Sequence, residues 1–92
     1  MNTPKYRLAF DKAFTKDLKK LPKQNIKQLI SYLKDVAQLE DAKSRGKPLR
    51  WSLAGLWRYR VGDYRIICDV QEGEMLILAL SVKSRKEVYI KK

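Results

Sequence analysis

Ile26, Leu29, Ile30, Leu33, Val36 and Ala37 recur at helical spacing, and Lys23, Lys27, Lys34 and Asp35 fall outside their stripe. That pattern predicts an amphipathic helix with one face on a core. Phe10, Phe14, Leu18 and Leu21 keep the same period just upstream and predict a shorter helix, with Asp11 as its N-cap. Lys19 and Lys20 lie in its last turn, where cations suit the helix dipole. Pro22 ends this helix and can open the next from its first turn. A link this short predicts an antiparallel helix pair. Ahead of the pair, residues 5–10 (Lys-Tyr-Arg-Leu-Ala-Phe) alternate as a first strand does.

The period then changes from helical to two. In Leu56–Val70, aromatic and β-branched residues flank Gly62-Asp63, a pair suited to the positive φ angles of a two-residue hairpin loop. Counting outward pairs Val61 with Tyr64, Arg60 with Arg65, Tyr59 with Ile66, Arg58 with Ile67 and Trp57 with Cys68. Side chains alternate along a strand, so Trp57, Tyr59, Val61, Tyr64, Ile66 and Cys68 share one face. Arg58, Arg60 and Arg65 share the other. Like charges directly across a ladder oppose pairing by something like the ~0.2–1 kcal/mol that a favourable pair adds. Stability alone therefore does not account for Arg60 facing Arg65. Two solvated arginines are one reading and an anion site is the other, with phosphate the natural anion for guanidinium forks.

Between the helices and the hairpin, residues 40–54 read as a loop, with Ser44, Gly46 and Pro48 as breakers. It carries Lys43, Arg45, Lys47 and Arg50 against Glu40 and Asp41. Trp51 in this loop either caps the edge of the core or offers a stacking surface. After the hairpin, Gln71-Glu72-Gly73-Glu74 makes a turn. Met75 to Val82 is almost wholly apolar, as suits an interior strand covered at least in part on both sides. The expected architecture is α+β: one domain over residues 1–92, with two helices packed on one face of a small, mainly antiparallel four-stranded sheet.

Charge sharpens this picture. Over 92 residues the formal net charge is +11. Residues 1–45 hold 11 basic and 5 acidic side chains and residues 46–92 hold 10 and 5, so the excess is not a tail. A folded domain this basic is most simply a partner for nucleic acid or for an acidic protein. Histidine is absent, which excludes His-based zinc sites, Ser-His triads and paired-histidine RNA cleavage; neither a metal nor a cofactor is expected. Cys68 is the single cysteine and, on the apolar hairpin face, reads as an inert core thiol. No apolar run reaches the length of a membrane span and the N-terminus lacks a signal-peptide h-region. A cytoplasmic location without membrane contact is the expectation.

Arg50, Arg58, Arg60, Arg65, Arg85, Lys47, Lys86 and Tyr89 lie in or beside the sheet half. Guanidinium groups can hold a phosphodiester and neutralise charge that builds on it in a transition state. Tyr89 could stack on a base or move a proton, and a lysine crowded by cations can become a base. RNA carries its own nucleophile, the 2′-hydroxyl, so a ribonuclease without histidine or metal is chemically possible.

The string Leu53-Ala54-Gly55-Leu56-Trp57-Arg58-Tyr59-Arg60-Val61-Gly62-Asp63-Tyr64-Arg65-Ile66, with Arg85-Lys86-Glu87-Val88-Tyr89 after an apolar strand, resembles the RelE/ParE toxin superfamily over nearly the whole chain. The resemblance implies a toxin of a type II toxin–antitoxin pair. A cognate antitoxin would hold it silent with an acidic, wrapping segment and would carry the complex to operator DNA. For the RelE branch it further implies ribosome-dependent cleavage of mRNA in the A site by 2′-hydroxyl attack. Carried over by position, Arg65 stabilises the phosphate, Arg85 is a basic catalytic residue and Tyr89 stacks on or assists the scissile nucleotide. Lys47, Arg50, Arg58, Arg60 and Lys86 then line the same groove. Lys83-Ser84 stands where many members have Gly-His, and arginines replace lysines proposed elsewhere as the base. Arginine is a poor base because its pKa exceeds about 12, which leaves Lys47, Lys86 or Tyr89. Two other readings are a ParE-type toxin acting on DNA gyrase and a basic binding module without activity.

Overall fold

A computed structural model of the chain describes residues 5–84. The element order is β1 (Arg7–Phe10), α1 (Lys12–Lys19), α2 (Lys23–Ala37), β2 (Lys47–Pro48), β3 (Trp57–Val61), β4 (Tyr64–Gln71) and β5 (Leu76–Ser84). The sheet order is β1-β5-β4-β3-β2, with β1 parallel to β5 and the other neighbours antiparallel. The α+β expectation holds with one strand more than expected. β2 lies inside the segment read as a loop, where two residues are too few to show a period. Its Pro48 lacks an N–H for a ladder, which an edge strand tolerates.

Local chemistry explains the helices. Asp11 caps α1 by accepting from the Ala13 N–H at 3.0 Å. Pro22 sits at the N-cap of α2 in extended conformation, and its carbonyl accepts from the N–H groups of Asn25 and Ile26. Phe14 of α1 and Leu29, Leu33, Val36 and Ala37 of α2 are buried against Tyr59, Val61, Ile66, Cys68, Ile77, Ala79 and Val82 of the sheet. Phe10, counted both in the first strand and on the helical stripe, ends β1 and stacks on Phe14 at a centroid distance of 5.3 Å.

The hairpin forms in the expected register, all five pairs included. The turn differs in one respect. Gly62 takes φ +58°, while Asp63 is not among the residues of positive φ. Positive φ at the first loop position alone is the pattern of a type II′ turn, which matches the twist of the flanking strands.

In β5, Cys68 pairs with Ala79 but Ile67 pairs with Ser81. Leu80 is therefore an extra residue, a β-bulge, and the inward set runs Ile77, Ala79, Val82 without strict alternation. Beyond Phe10, where β1 stops, α1 takes over the edge of β5. The Asp17 carboxylate accepts from the Val82 N–H at 3.1 Å and meets the Lys83 ammonium at 3.4 Å.

Two phenols anchor the segment after α2. The Tyr59 hydroxyl donates to the Ala42 carbonyl at 2.7 Å, and the Ala42 N–H donates to the Tyr6 hydroxyl at 3.3 Å. Burial keeps the Tyr59 phenol protonated well past its ordinary range, with the neighbouring Cys68 a second cause. Burial likewise pushes the Cys68 thiol up to about 12, aided by the charge of Asp69.

Two expected outcomes follow from this core. Tyr59→Phe leaves the Ala42 carbonyl without its donor and lowers stability by about 1–3 kcal/mol, read as a lower urea midpoint at unchanged slope. Both raised groups contribute stability that is fully present below their unfolded pKa values, about 8.5 for Cys and about 10 for Tyr. The midpoint should fall as pH rises above about 8.5, and Cys68→Ala should delay the onset of that fall toward the tyrosine range.

Candidate nucleic-acid interface

One face of the sheet lies under the helices and the other is left open by the described residues. Register places the open-face residues in transverse rows. Arg60, Arg65 and Lys83 are neighbours in one row, and Lys47, Arg58, Ile67 and Ser81 in a second. Farther from the hairpin turn, Asp69, Leu78 and Ala9 form a third row and Gln71, Leu76 and Arg7 a fourth. The face is thus basic toward the β3–β4 turn and mixed polar and apolar toward the far end. Asp69, the acid at these strand positions, accepts from the Gln71 amide at 2.8 Å. Five cations stand on two adjacent rows, with Lys83 also reaching the Asp17 carboxylate at 3.4 Å from the edge of the sheet.

Of the sequence-predicted residues, Lys47, Arg58, Arg60 and Arg65 are brought together here. Arg50 lies two residues beyond β2, exposed, where the chain turns toward β3. Arg85, Lys86 and Tyr89 lie outside the described residues. Lys83 joins the basic row although alternation from Ile77 and Ala79 would turn it inward; the Leu80 bulge reverses that parity. The visible signal was the local order of apolar Val82 before charged Lys83, at odds with the upstream period.

At the edge of β3, where β2 has ended, a cleft of about 250 Å³ is lined by Tyr32, Gly46, Lys47, Arg58 and Arg60. Tyr32 reaches it from α2 and rests near Tyr59, ring centroids 6.0 Å apart. Gly46 takes φ +80°, and a Cβ there would collide with the Arg58 carbonyl and the Trp57 indole. Its missing side chain is what lets β2 approach β3. The other loop cations have structural work. Lys43 lies over the Trp57 ring at 5.2 Å, and Arg45 over Tyr32 at 5.7 Å. The Arg45 carbonyl accepts from Trp57 Nε1 at 2.6 Å.

Trp51 is 89% exposed and does not cap the core. It begins a 3₁₀ turn over Trp51–Leu53 with φ +61°. A bulky residue in the left-handed region carries a backbone cost of about 1–3 kcal/mol. Glycine would avoid that cost.

Comparison with known proteins places this geometry. Residues 8–89 match the family model of the ParE toxin of type II toxin–antitoxin systems. The chain belongs to the RelE/ParE toxin superfamily. This toxin is 29% identical over 84 residues to Toxin RelG of Mycobacterium tuberculosis, covering 91% of its own length and 95% of that protein. Its fold superposes on the toxin–antitoxin complex RelBE2 of the same organism with a TM-score of 0.80 at 28% identity, over 92% of this chain and 95% of that one. A RelB–RelE antitoxin–toxin complex from Methanococcus jannaschii matches at 31% identity and a TM-score of 0.63, over 91% and 98% of the two chains.

If the two rows form one phosphate-binding surface, removing one cation from the toxin should weaken polyanion binding and flatten its salt dependence. Arg60→Gln is expected to reduce the slope of log affinity against log salt for a single-stranded oligonucleotide by roughly 0.7, measured by anisotropy. Lys43→Gln, which removes a cation resting on Trp57, should change that slope far less.

Proposed function

We propose that this toxin is a ribosome-dependent endonuclease of mRNA. The observation that carries the reading is the row Arg60–Arg65–Lys83 beside Lys47 and Arg58. Cations gathered on neighbouring strand positions attract an anion, and forked guanidinium donors suit phosphate. In the proposed reaction the 2′-oxygen attacks the adjacent phosphorus and the bond to the 5′-oxygen breaks. A base takes the 2′-hydroxyl proton and an acid delivers one to the departing oxygen, leaving a 2′,3′-cyclic phosphate and a 5′-hydroxyl. Arg65 would stabilise the charge on phosphorus-bound oxygens, with Arg58, Arg60, Lys47 and Arg50 holding the strand. Arg85, Lys86 and Tyr89 complete the proposed site from the C-terminal segment. Lys47, Lys86 and Tyr89 are the groups able to serve as base, since arginine holds its proton too tightly.

A cognate antitoxin is part of the proposal. The relatives from Mycobacterium tuberculosis and Methanococcus jannaschii were solved as complexes with their antitoxins. An acidic wrapping segment would meet the basic rows here, drawn in by an attraction that salt screens, and the complex would reach operator DNA through the antitoxin. The proposed setting is the cytoplasm, where mRNA and ribosomes are found. The match to the ParE model favours one other target, DNA gyrase, reached by protein contact.

Primer extension on an mRNA in a reconstituted translation system separates these. Wild-type toxin should produce cuts within codons that require ribosomes, and Arg65→Ala should reduce them by about 100-fold or more, the scale of losing one electrostatic stabiliser of the transition state. Intact mRNA with arrested growth would reject the nuclease reading, and a supercoiling assay would then test gyrase.

A further inference from the structure

We propose that Trp51 is a stacking platform for an unpaired base of an RNA strand whose phosphates lie along Lys47 and Arg58. This inference rests on the nucleic-acid reading of the open face and extends it to a residue outside the basic rows.

The placement carries the argument. Lys47 and Arg58 are register partners on the open face, and residues 49–56 connect their strands as a compact loop. The Leu49 N–H donates to the Leu56 carbonyl at 3.0 Å, which continues the strand pair by one step. Inside the loop, the N–H groups of Leu53, Ala54 and Leu56 donate to the carbonyls of Arg50, Trp51 and Leu53, each at 3.1 Å. These bonds hold the loop in one shape and its indole out in solvent, 89% exposed, on a backbone of positive φ. A large aromatic kept outward on a strained, well-bonded turn is poised to meet something.

Charge selects what it meets. Residues 42–62 contain six lysines and arginines and no acid, so the surroundings favour a polyanion. An indole beside cations matches the two surfaces of a single-stranded nucleic acid, phosphate and base face. The other ring systems are engaged. Trp57 carries Lys43 on its face and donates its N–H to Arg45, Tyr32 carries Arg45, and Phe10 stacks on Phe14 at the opposite edge of the sheet. Tyr64 packs against the core and Tyr6 and Tyr59 are buried in it, which leaves Trp51, in the loop that joins the strands of Lys47 and Arg58, as the exposed ring able to stack on a base among the described residues.

The test uses the full chain and two fluorescent probes of equal length and charge, a 2′-O-methyl oligoribonucleotide that cannot be cleaved and an abasic sugar-phosphate strand. Trp51→Ala should weaken binding of the base-bearing strand by about 5- to 100-fold and leave the abasic strand and the salt slope unchanged. Trp51→Phe should keep most of the affinity. Trp51→Gly, which suits the positive φ, should lose affinity as Ala does while its urea midpoint is no lower than that of wild type, separating stacking from folding. Equal weakening of both probes, or base-bearing affinity untouched by Trp51→Ala, overturns the platform. Loss of co-purification with a co-expressed antitoxin in place of an RNA effect would overturn it too and assign the indole to protein contact. Ribosome-dependent cleavage bears separately on the nuclease reading: a base-dependent Trp51 effect with intact mRNA would reject the nuclease and keep the platform.

Discussion

The polar half of this molecule depends on one residue, Ala42, whose N–H and carbonyl are each held by a phenol. Tyr59 reaches it from β3 and Tyr6 from the segment leading into β1. The Tyr6 N–H in turn donates to the Ala37 carbonyl at the end of α2, at 2.8 Å. Helix end, first strand, third strand and loop are thus tied at a point where Ala42 and Tyr59 are fully buried. A buried carbonyl or N–H without a partner is costly, so this loop conformation resists alternatives. From that fixed point the chain runs through Lys43 and Arg45, each resting on a ring, to Lys47 in its ladder position. Charged side chains on a long loop would otherwise sample many directions. Here the positions of the cations follow from aromatic chemistry in the core.

The open face gains its character from what the sheet forgoes. Helices cover one side of the sheet and stabilise it by burying a contiguous apolar layer. The uncovered side is then available to carry like charges that a stability-optimised sheet would avoid. The opposed arginines and the strained Trp51 backbone are of one kind in this respect. Each works modestly against folding, and each sits where β2, β3 and β4 are locked together by pairing and by the Tyr59 and Trp57 hydrogen bonds.

Much of this was legible in the residue pattern, for a physical reason in each case. The hairpin register could be counted because Gly-Asp marks a two-residue loop and both arms keep a clean period of two. The stripe of α2 and the cap at Asp11 were likewise local signals with local causes. β2 was not legible, since a two-residue strand exists only through its partner and through the space that Gly46 leaves. Asp63 was read as sharing the positive φ that falls on Gly62 alone, because composition does not separate the two hairpin turn types here. Within the site, Lys47, Arg58, Arg60 and Arg65 followed from alternation, whereas Lys83 did not. Between cap and stacking surface for Trp51, only tertiary placement could decide.

The Leu80 bulge gives β5 a counting property. Upstream of it, odd-numbered residues such as Ile77 and Ala79 face the core; downstream, the even-numbered Val82 does and the odd-numbered Ser81 and Lys83 face out. An uncharged leucine therefore decides on which side of the sheet a cation emerges, through its presence in the count and not through its chemistry. Two homologous chains could keep every charged residue and still display different electrostatic surfaces if one lacked that single residue. Gaps in an alignment at this strand would then carry more functional information than the substitutions on either side.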